Sequence, residues 1–169
     1  ERFFGNPTSI QRDYLINEFR AEASALGVTA SVHIQVGAED PMAEARWVQD
    51  VADANPDWPL KQVVFVDLTA GDLDVKLDAF QTLPSVVGVR QIIGRAPGED
   101  AVTGTKTLLD NPNFIVGLQN AGRRKLSFDL QLIPELMGKT ADLLARAPNT
   151  AVALCHAGSP HDRSNNGLA

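Results

Sequence analysis

The sequence predicts an α/β fold, and specifically an incomplete (β/α)8 TIM barrel that covers about strands 2 to 6. Helices and strands alternate along the chain, and predicted strands begin near residues 29, 62, 86, 126 and 151. Several strands carry polar residues on one face, which favours a barrel with a polar lumen over an open sheet. A complete barrel takes about 250 residues, so we expect roughly one strand before this segment and two after it. Residues 1–169 are predicted to form a single domain.

The first elements are predicted to be a helix, a strand and a second helix. Apolar residues recur at helical spacing over 9–26, after a capping-box pattern at Thr8 and Gln11. Residues 29–36 alternate between apolar and polar side chains, which is typical of a strand. The pair Asp40-Pro41 is a favourable start for the next helix.

The rest of the chain continues the same alternation. A β-branched run predicts a buried strand at 62–68, and proline residues delimit several of the helices. The further predicted strands are 86–92, 126–132 and 151–155. The further predicted helices are 72–83, 106–120 with a break near Pro112, and a last one between Pro134 and Pro148.

Polar residues share one face on three of these strands, and we expect that face to line the lumen. The residues are Ser31, His33 and Gln35, then Gly88 and Arg90, then Ser127, Asp129 and Gln131. We therefore expect His33, Arg90 and Asp129 to point inward.

Composition excludes several classes of function. The net charge is −6, with 15 Lys and Arg against 21 Asp and Glu, which argues against nucleic acid or an anionic membrane surface as the main partner. The longest uncharged stretch, Ala23 to Ala38, contains polar residues and falls short of the roughly 20 apolar residues of a membrane span. The single cysteine, Cys155, excludes an internal disulfide framework, so a cytoplasmic location is predicted.

Three histidines occur, and their positions differ in what they predict. His156 follows the last predicted strand and precedes a tight turn, at the strand end where barrel enzymes keep their sites. His33 lies on a strand, where a hydrogen-bonded core histidine and a site residue are both open. His161 lies in a loop, where we expect it to be solvated.

Arg90 is costly to bury unless it meets an anion. Its partner is either a structural carboxylate such as Asp129 or an oxygen of the substrate, and the sequence leaves both open. Cys155 is expected to pack in the core rather than to act as a nucleophile, since its neighbour His156 points to the opposite side of an extended strand.

Six segments in register resemble a known family. They are SVHIQ at 31–35, EARWV at 44–48, FVDL at 65–68, GVR at 88–90, LSFDLQ at 126–131 and PNTAVALCHAGSP at 148–160. The chain resembles the amidohydrolase-related ("amidohydrolase 2") branch of the amidohydrolase superfamily, and specifically its sugar-lactonase and pyrone-dicarboxylate-lactonase-like members.

The resemblance implies a TIM-barrel hydrolase of a small cyclic ester or amide, with His33, Arg90 and His156 at the catalytic site and Gln35, Asp129 and Gln131 near the substrate. Family members also carry a His-x-His pair on the first strand and an aspartate on the last, which we expect outside this segment. Metal-binding members supply a histidine from the fifth strand, where this chain has Asp129. No metal ligand is therefore predicted here, and zinc in the full-length protein is left open.

The expected function is a lactonase-like hydrolase acting on a small molecule by water attack. Two alternatives stay open: a decarboxylase on the same barrel, since related members are lyases, and a non-catalytic α/β fragment. The sequence leaves homo-oligomer formation and the identity of the substrate undecided.

Overall fold

A computed structural model describes residues 8, 11–94 and 105–159 of the chain. Five parallel strands form one sheet in the sequential order β1-β2-β3-β4-β5, as predicted. With helices between the strands, the sheet curls into an incomplete (β/α) barrel, so the predicted fold class is confirmed. The strands are β1 Ser31–Ile34, β2 Leu60–Phe65, β3 Val86–Ile93, β4 Ser127–Leu132 and β5 Val152–Leu154.

In the described residues, five α-helices connect or precede these strands. They are α1 Ile16–Ala25, α2 Pro41–Ala54, α3 Leu73–Gln81, α4 Pro112–Arg123 and α5 Met137–Leu144. Short 3₁₀ segments occupy Thr105–Asp110, Pro134–Leu136 and Cys155–Gly158. In the part of the chain that the structure describes, no helix combines the length and apolar character that crossing a membrane requires.

The hydrophobic core lies between the sheet and helices α3 and α4. Phe114 of α4 packs edge-on against Phe128 of β4, with ring centroids 6.1 Å apart, and both side chains are fully buried. At Gly117 a Cβ atom would lie 2.2 Å from the carbonyl oxygen of Leu68, so only glycine lets α4 approach the end of β2 this closely. The core thus occupies the helix-covered face of the sheet, opposite the face that carries Arg90 and Asp129.

Strand register fixes which residues share that other face. Phe65 pairs with Arg90, Arg90 with Asp129, and Asp129 with Ala153. Neighbours of Asp129 along the strand, Phe128 and Leu130, belong to the helix-packed core. Because side chains alternate along a strand, Arg90 and Asp129 lie on the inner face, as predicted.

The prediction of helix 9–26 was wrong at its start. Residues 9 and 10 lie outside the described residues, residues 11–15 are not helical, and α1 begins at Ile16. Arg12 bonds to Glu18 and Tyr14 to Glu22, six and eight residues apart, and helical spacing does not bring such pairs together. The Thr8–Gln11 pattern forms a backbone turn rather than a helix cap.

The other boundaries differ by smaller amounts. The pair Asp40-Pro41 starts α2 as predicted, with the Asp40 carboxylate accepting from Met42 N–H and Ala43 N–H. The last strand ends at Leu154 rather than residue 155, because His156 and the residue after it have positive φ angles that no strand contains. Before Pro112 the predicted helix is a 3₁₀ turn, so the predicted break is a change of helix type.

Candidate active site

Four side chains from three neighbouring strands come together on the inner face of the sheet. Arg90 lies on β3, Asp129 and Gln131 lie on β4, and Cys155 follows β5. Parallel strands place residues of matching register side by side, so the polar alternation of β3 and β4 produces this cluster directly. We call these four residues the inner cluster.

Arg90 is the charged centre of the inner cluster. Its Nη2 donates a hydrogen bond to the Gln131 Oε1 atom, and its Nε is buried without a hydrogen-bond partner. Among the described residues, no carboxylate oxygen lies within 4.0 Å of the Arg90 guanidinium, which is the distance limit for an ion pair. Of the two partners that the sequence left open, Asp129 therefore forms no direct ion pair with Arg90, and a donor remains free.

Asp129 is buried, with 8% of its surface exposed. Burial raises the pKa of its carboxyl group, and the nearby positive charge of Arg90 works in the opposite direction. Its Oδ2 atom lies 3.9 Å from the Cys155 Sγ atom. The carboxyl group is thus held in an environment that favours its protonated form more than water does.

Cys155 and His156 begin the turn after β5. Cys155 was expected to pack in the core, yet it lies half-buried beside Asp129, and burial together with that carboxylate raises the pKa of its thiol. A raised thiol pKa disfavours the nucleophilic thiolate. His156 is exposed in the turn after β5, with φ of 52°, so a left-handed backbone turns the chain at this point.

His33 does not point inward, so that prediction was wrong. Its Nε2 lies 2.8 Å from the Glu44 Oε1 atom on α2, on the helix side of the sheet. Its register partner Gln62 faces the same way and donates to the Ala45 carbonyl oxygen of α2. The polar alternation of β1 faces the helices because the helix layer supplies partners, and Trp58 likewise donates to Ser31.

Gln35 lies apart from the inner cluster, in a cleft of about 660 Å³ at the carboxyl ends of β1, β2 and β3. The loop before α2 forms one wall, and its Gly37 N–H donates to the Gln35 Oε1 atom. Phe65 and Ile92 also line the cleft. These two residues share the inner face with Arg90, and Met42 of α2 and Phe80 of α3 line the cleft from the helix layer.

Sequence reasoning missed two residues of this region. Glu44 lies in the first turn of α2, and its contact with His33 was not predicted. Cys155 has the same strand parity as Ala153, which pairs with Asp129, and that parity places the thiol on the inner face. His161 lies outside the described residues.

Sequence comparison finds one curated relative of this chain. No protein-family model matches the chain. The uncharacterized protein y4mH of Sinorhizobium fredii is 30% identical over 162 residues, which are 94% of this chain and 54% of that protein. The chain therefore spans about half the length of the curated relative it matches.

The solved structures that match are amidohydrolases. An amidohydrolase from Burkholderia multivorans with bound HEPES superposes with a TM-score of 0.75 at 19% identity, over 95% of this chain and 54% of that one. Amidohydrolase 2 from Bifidobacterium longum subsp. infantis gives 0.66 at 24% identity, over 97% and 57%. A candidate 2-pyrone-4,6-dicarboxylic acid hydrolase from Pseudomonas putida gives 0.57 at 16% identity, over 86% and 50%. These neighbours match the family that the sequence resembles, and they share its fold.

Another crystal form of the Burkholderia protein holds zinc. In the described part of this chain, no three His, Cys, Asp or Glu side chains converge as metal ligands. Asp129 and Cys155 lie close together on the inner face, but Arg90 is near them, and its positive charge repels a cation. The donor set described here does not fit a zinc site.

Proposed function

We propose that this chain belongs to the amidohydrolase-related family and forms about half of a barrel enzyme that hydrolyses a small lactone. The observation that carries the proposal is the inner-face guanidinium of Arg90, buried at Nε with a neutral partner and a free donor. The likeness to amidohydrolase structures and the resemblance of six segments support the reaction class.

Lactone hydrolysis adds water to the ring carbonyl carbon and breaks its bond to the ring oxygen, which leaves a carboxylic acid and a hydroxyl group. Negative charge develops on the carbonyl oxygen, and each fixed donor aimed at a substrate oxygen contributes on the order of 3 kcal/mol. Arg90 and His156, in the turn after β5, are the proposed donors. His33, which the sequence offered as an alternative to His156, contacts Glu44 instead.

The remaining roles follow from position. Gln131 orients the Arg90 guanidinium, and Gln35 in the cleft wall is placed to contact the substrate. Asp129, which is buried beside Arg90, lies within the inner cluster and supports substrate binding. The general base is assigned to a carboxylate on a strand of the full-length barrel that this chain does not include.

The test uses the full-length protein and a panel of γ- and δ-lactones, with acid release followed by pH-stat titration. We expect at least one lactone to be opened at a rate that scales with enzyme concentration. Carbon dioxide release from carboxylated substrates without acid release from any lactone would instead identify the decarboxylase that the sequence left open. No turnover of either kind would favour a non-catalytic domain.

A further inference from the structure

The cleft at the carboxyl ends of β1, β2 and β3 combines apolar walls with a carboxylate. Its volume of about 660 Å³ is in the range of small-molecule sites. Apolar side chains from a strand and two helices line it, namely Phe65 of β2, Met42 of α2 and Phe80 of α3. Arg90 and His156, to which lactone opening is assigned, do not belong to its lining.

Asp67, two residues after the end of β2, supplies the carboxylate. Its Oδ1 atom accepts hydrogen bonds from the Thr69 N–H and hydroxyl groups, at 2.9 and 2.8 Å, and from Gln91 Nε2 at 3.2 Å. Among the described residues, its Oδ2 atom makes no hydrogen bond. One oxygen therefore holds the carboxylate in place, and the other is left for a ligand.

The Asp67 carboxylate is ionised at neutral pH. Burial alone would raise its pKa, but the hydrogen bonds from Thr69 and Gln91 hold the pKa below its ordinary value. Lys76 also lines the cleft, yet its ammonium group is paired with Asp72 at 2.9 Å. The cleft thus presents a negative charge that forms no ion pair within the described part of the chain.

The other polar groups of the cleft argue against an anion or a metal ion as the ligand. At the start of α2, the Met42 and Ala43 N–H groups already donate to Asp40, so this helix end has fewer free donors for an anion. A divalent cation takes several oxygen ligands, and no three His, Cys, Asp or Glu side chains of the described residues converge on a metal position. An organic cation needs only one carboxylate together with apolar surface for its body.

We propose that this cleft binds a small molecule with an ammonium group on an apolar body, and that Asp67 Oδ2 accepts a hydrogen bond from the ammonium group. Phe65 and Phe80 suit both parts of such a molecule, because aromatic rings bury apolar surface and their faces attract cations. The inference goes beyond the proposed function, since it depends on neither Arg90 nor lactone turnover, so either can fail without the other.

The test is calorimetric titration of the full-length protein with two matched pairs of probes. They are phenethylamine with phenethyl alcohol, and cyclohexylmethylamine with cyclohexylmethanol, so that each pair differs only in an ammonium group against a hydroxyl group. Because charge-assisted hydrogen bonds are roughly twice as strong as neutral ones, we expect at least one amine to bind about tenfold more tightly than its alcohol.

Three variants locate the preference. Asp67→Asn should remove it, since asparagine keeps an oxygen for the Thr69 donors but loses the charge. Asp142→Asn, the same change at an exposed position on α5, should retain it. Lys76→Met removes the positive charge from the cleft lining, so we expect amine binding to strengthen about two- to threefold.

The outcomes separate an ammonium site from an apolar cleft without charge preference. Equal binding of amine and alcohol by the native protein, no binding of either amine, or a preference that persists in Asp67→Asn overturns the inference. Where Asp67→Asn folds poorly, Lys76→Met carries the test, because amine binding that is unchanged or weaker in this variant contradicts an ammonium group beside Asp67.

Discussion

His33 and Arg90 make an instructive pair, since both are polar residues on strands of one parallel sheet. His33 faces outward, and its ring nitrogen lies 2.8 Å from a Glu44 oxygen on α2. Arg90 faces inward, bonds to the neutral Gln131 and keeps an unpartnered buried nitrogen. The first residue is satisfied within the protein and the second is not, which indicates a structural role for His33 and supports the ligand-binding role that we propose for Arg90.

The contact between His33 and Glu44 belongs to a structural network that has no counterpart in the inner cluster. The same Glu44 oxygen accepts a hydrogen bond from the Val36 N–H at 3.1 Å, so one carboxylate joins β1, the loop after it and the start of α2. That loop forms a wall of the cleft, and Gln35 also lines the cleft. Glu44 therefore acts on the loop's position, while Arg90 is placed to act on a ligand.

Replacing Arg90 should give the largest effect. With Arg90→Met in the full-length enzyme, we expect lactone turnover to fall at least about a hundredfold, which corresponds to about 3 kcal/mol of barrier. Unfolding stability and the circular dichroism spectrum should stay near those of the native protein. Unchanged kcat/KM would return Arg90 to a structural role and leave His156 as the main site candidate.

Glu44→Ala should shift stability instead. It removes the acceptor of both His33 and Val36, and we expect the free energy of unfolding to fall by about 2 kcal/mol in a urea titration. Glu44→Gln is the matched control, because it keeps a side-chain oxygen in the same place. A native-like Glu44→Ala protein would show that the loop before α2 is held by other contacts.

Most of the fold could be predicted because alternation and turn signals are local. The five strands and their order follow from residue patterns, and Asp40-Pro41 gave the start of α2 correctly. The start of α1 could not be predicted this way. Tyr14 and Leu15 continue an apolar pattern yet are exposed, and the Arg12–Glu18 ion pair and the Tyr14–Glu22 hydrogen bond form at non-helical spacing.

The candidate site could be predicted in part. Arg90, Asp129 and Gln131 share a face by strand period alone, so alternation placed them together. The same reasoning put His33 on the wrong face, because alternation separates two faces without telling which one the helices cover. Glu44 and Trp58, which pair with polar residues of β1, make the outer face polar there.

A double-mutant cycle measures the interaction between His33 and Glu44. His33→Ala, Glu44→Ala and the double variant should reveal a coupling energy of about 1 kcal/mol between the two side chains. The Val36 N–H contact belongs to Glu44 alone and therefore cancels from the cycle. Additive effects in urea unfolding would mean that the 2.8 Å contact contributes nothing to stability in solution.

The smallest expected effect, and the one that depends on pH, comes from Asp129→Asn. Burial raises the folded-state pKa of this carboxyl above its ordinary value of 3.8, so its contribution to stability is fully present below that value and is lost as pH rises through the folded pKa. Asparagine has no charge to bury. The variant should match the native protein near pH 3.5 and become the more stable of the two toward pH 7, as followed by thermal unfolding. The gain stays small because the nearby Arg90 charge offsets part of the burial. The opposite sign, a variant that loses stability as pH rises, would show that ionised Asp129 pairs favourably with Arg90. The guanidinium would then already have its anion, and the difference from His33 would disappear.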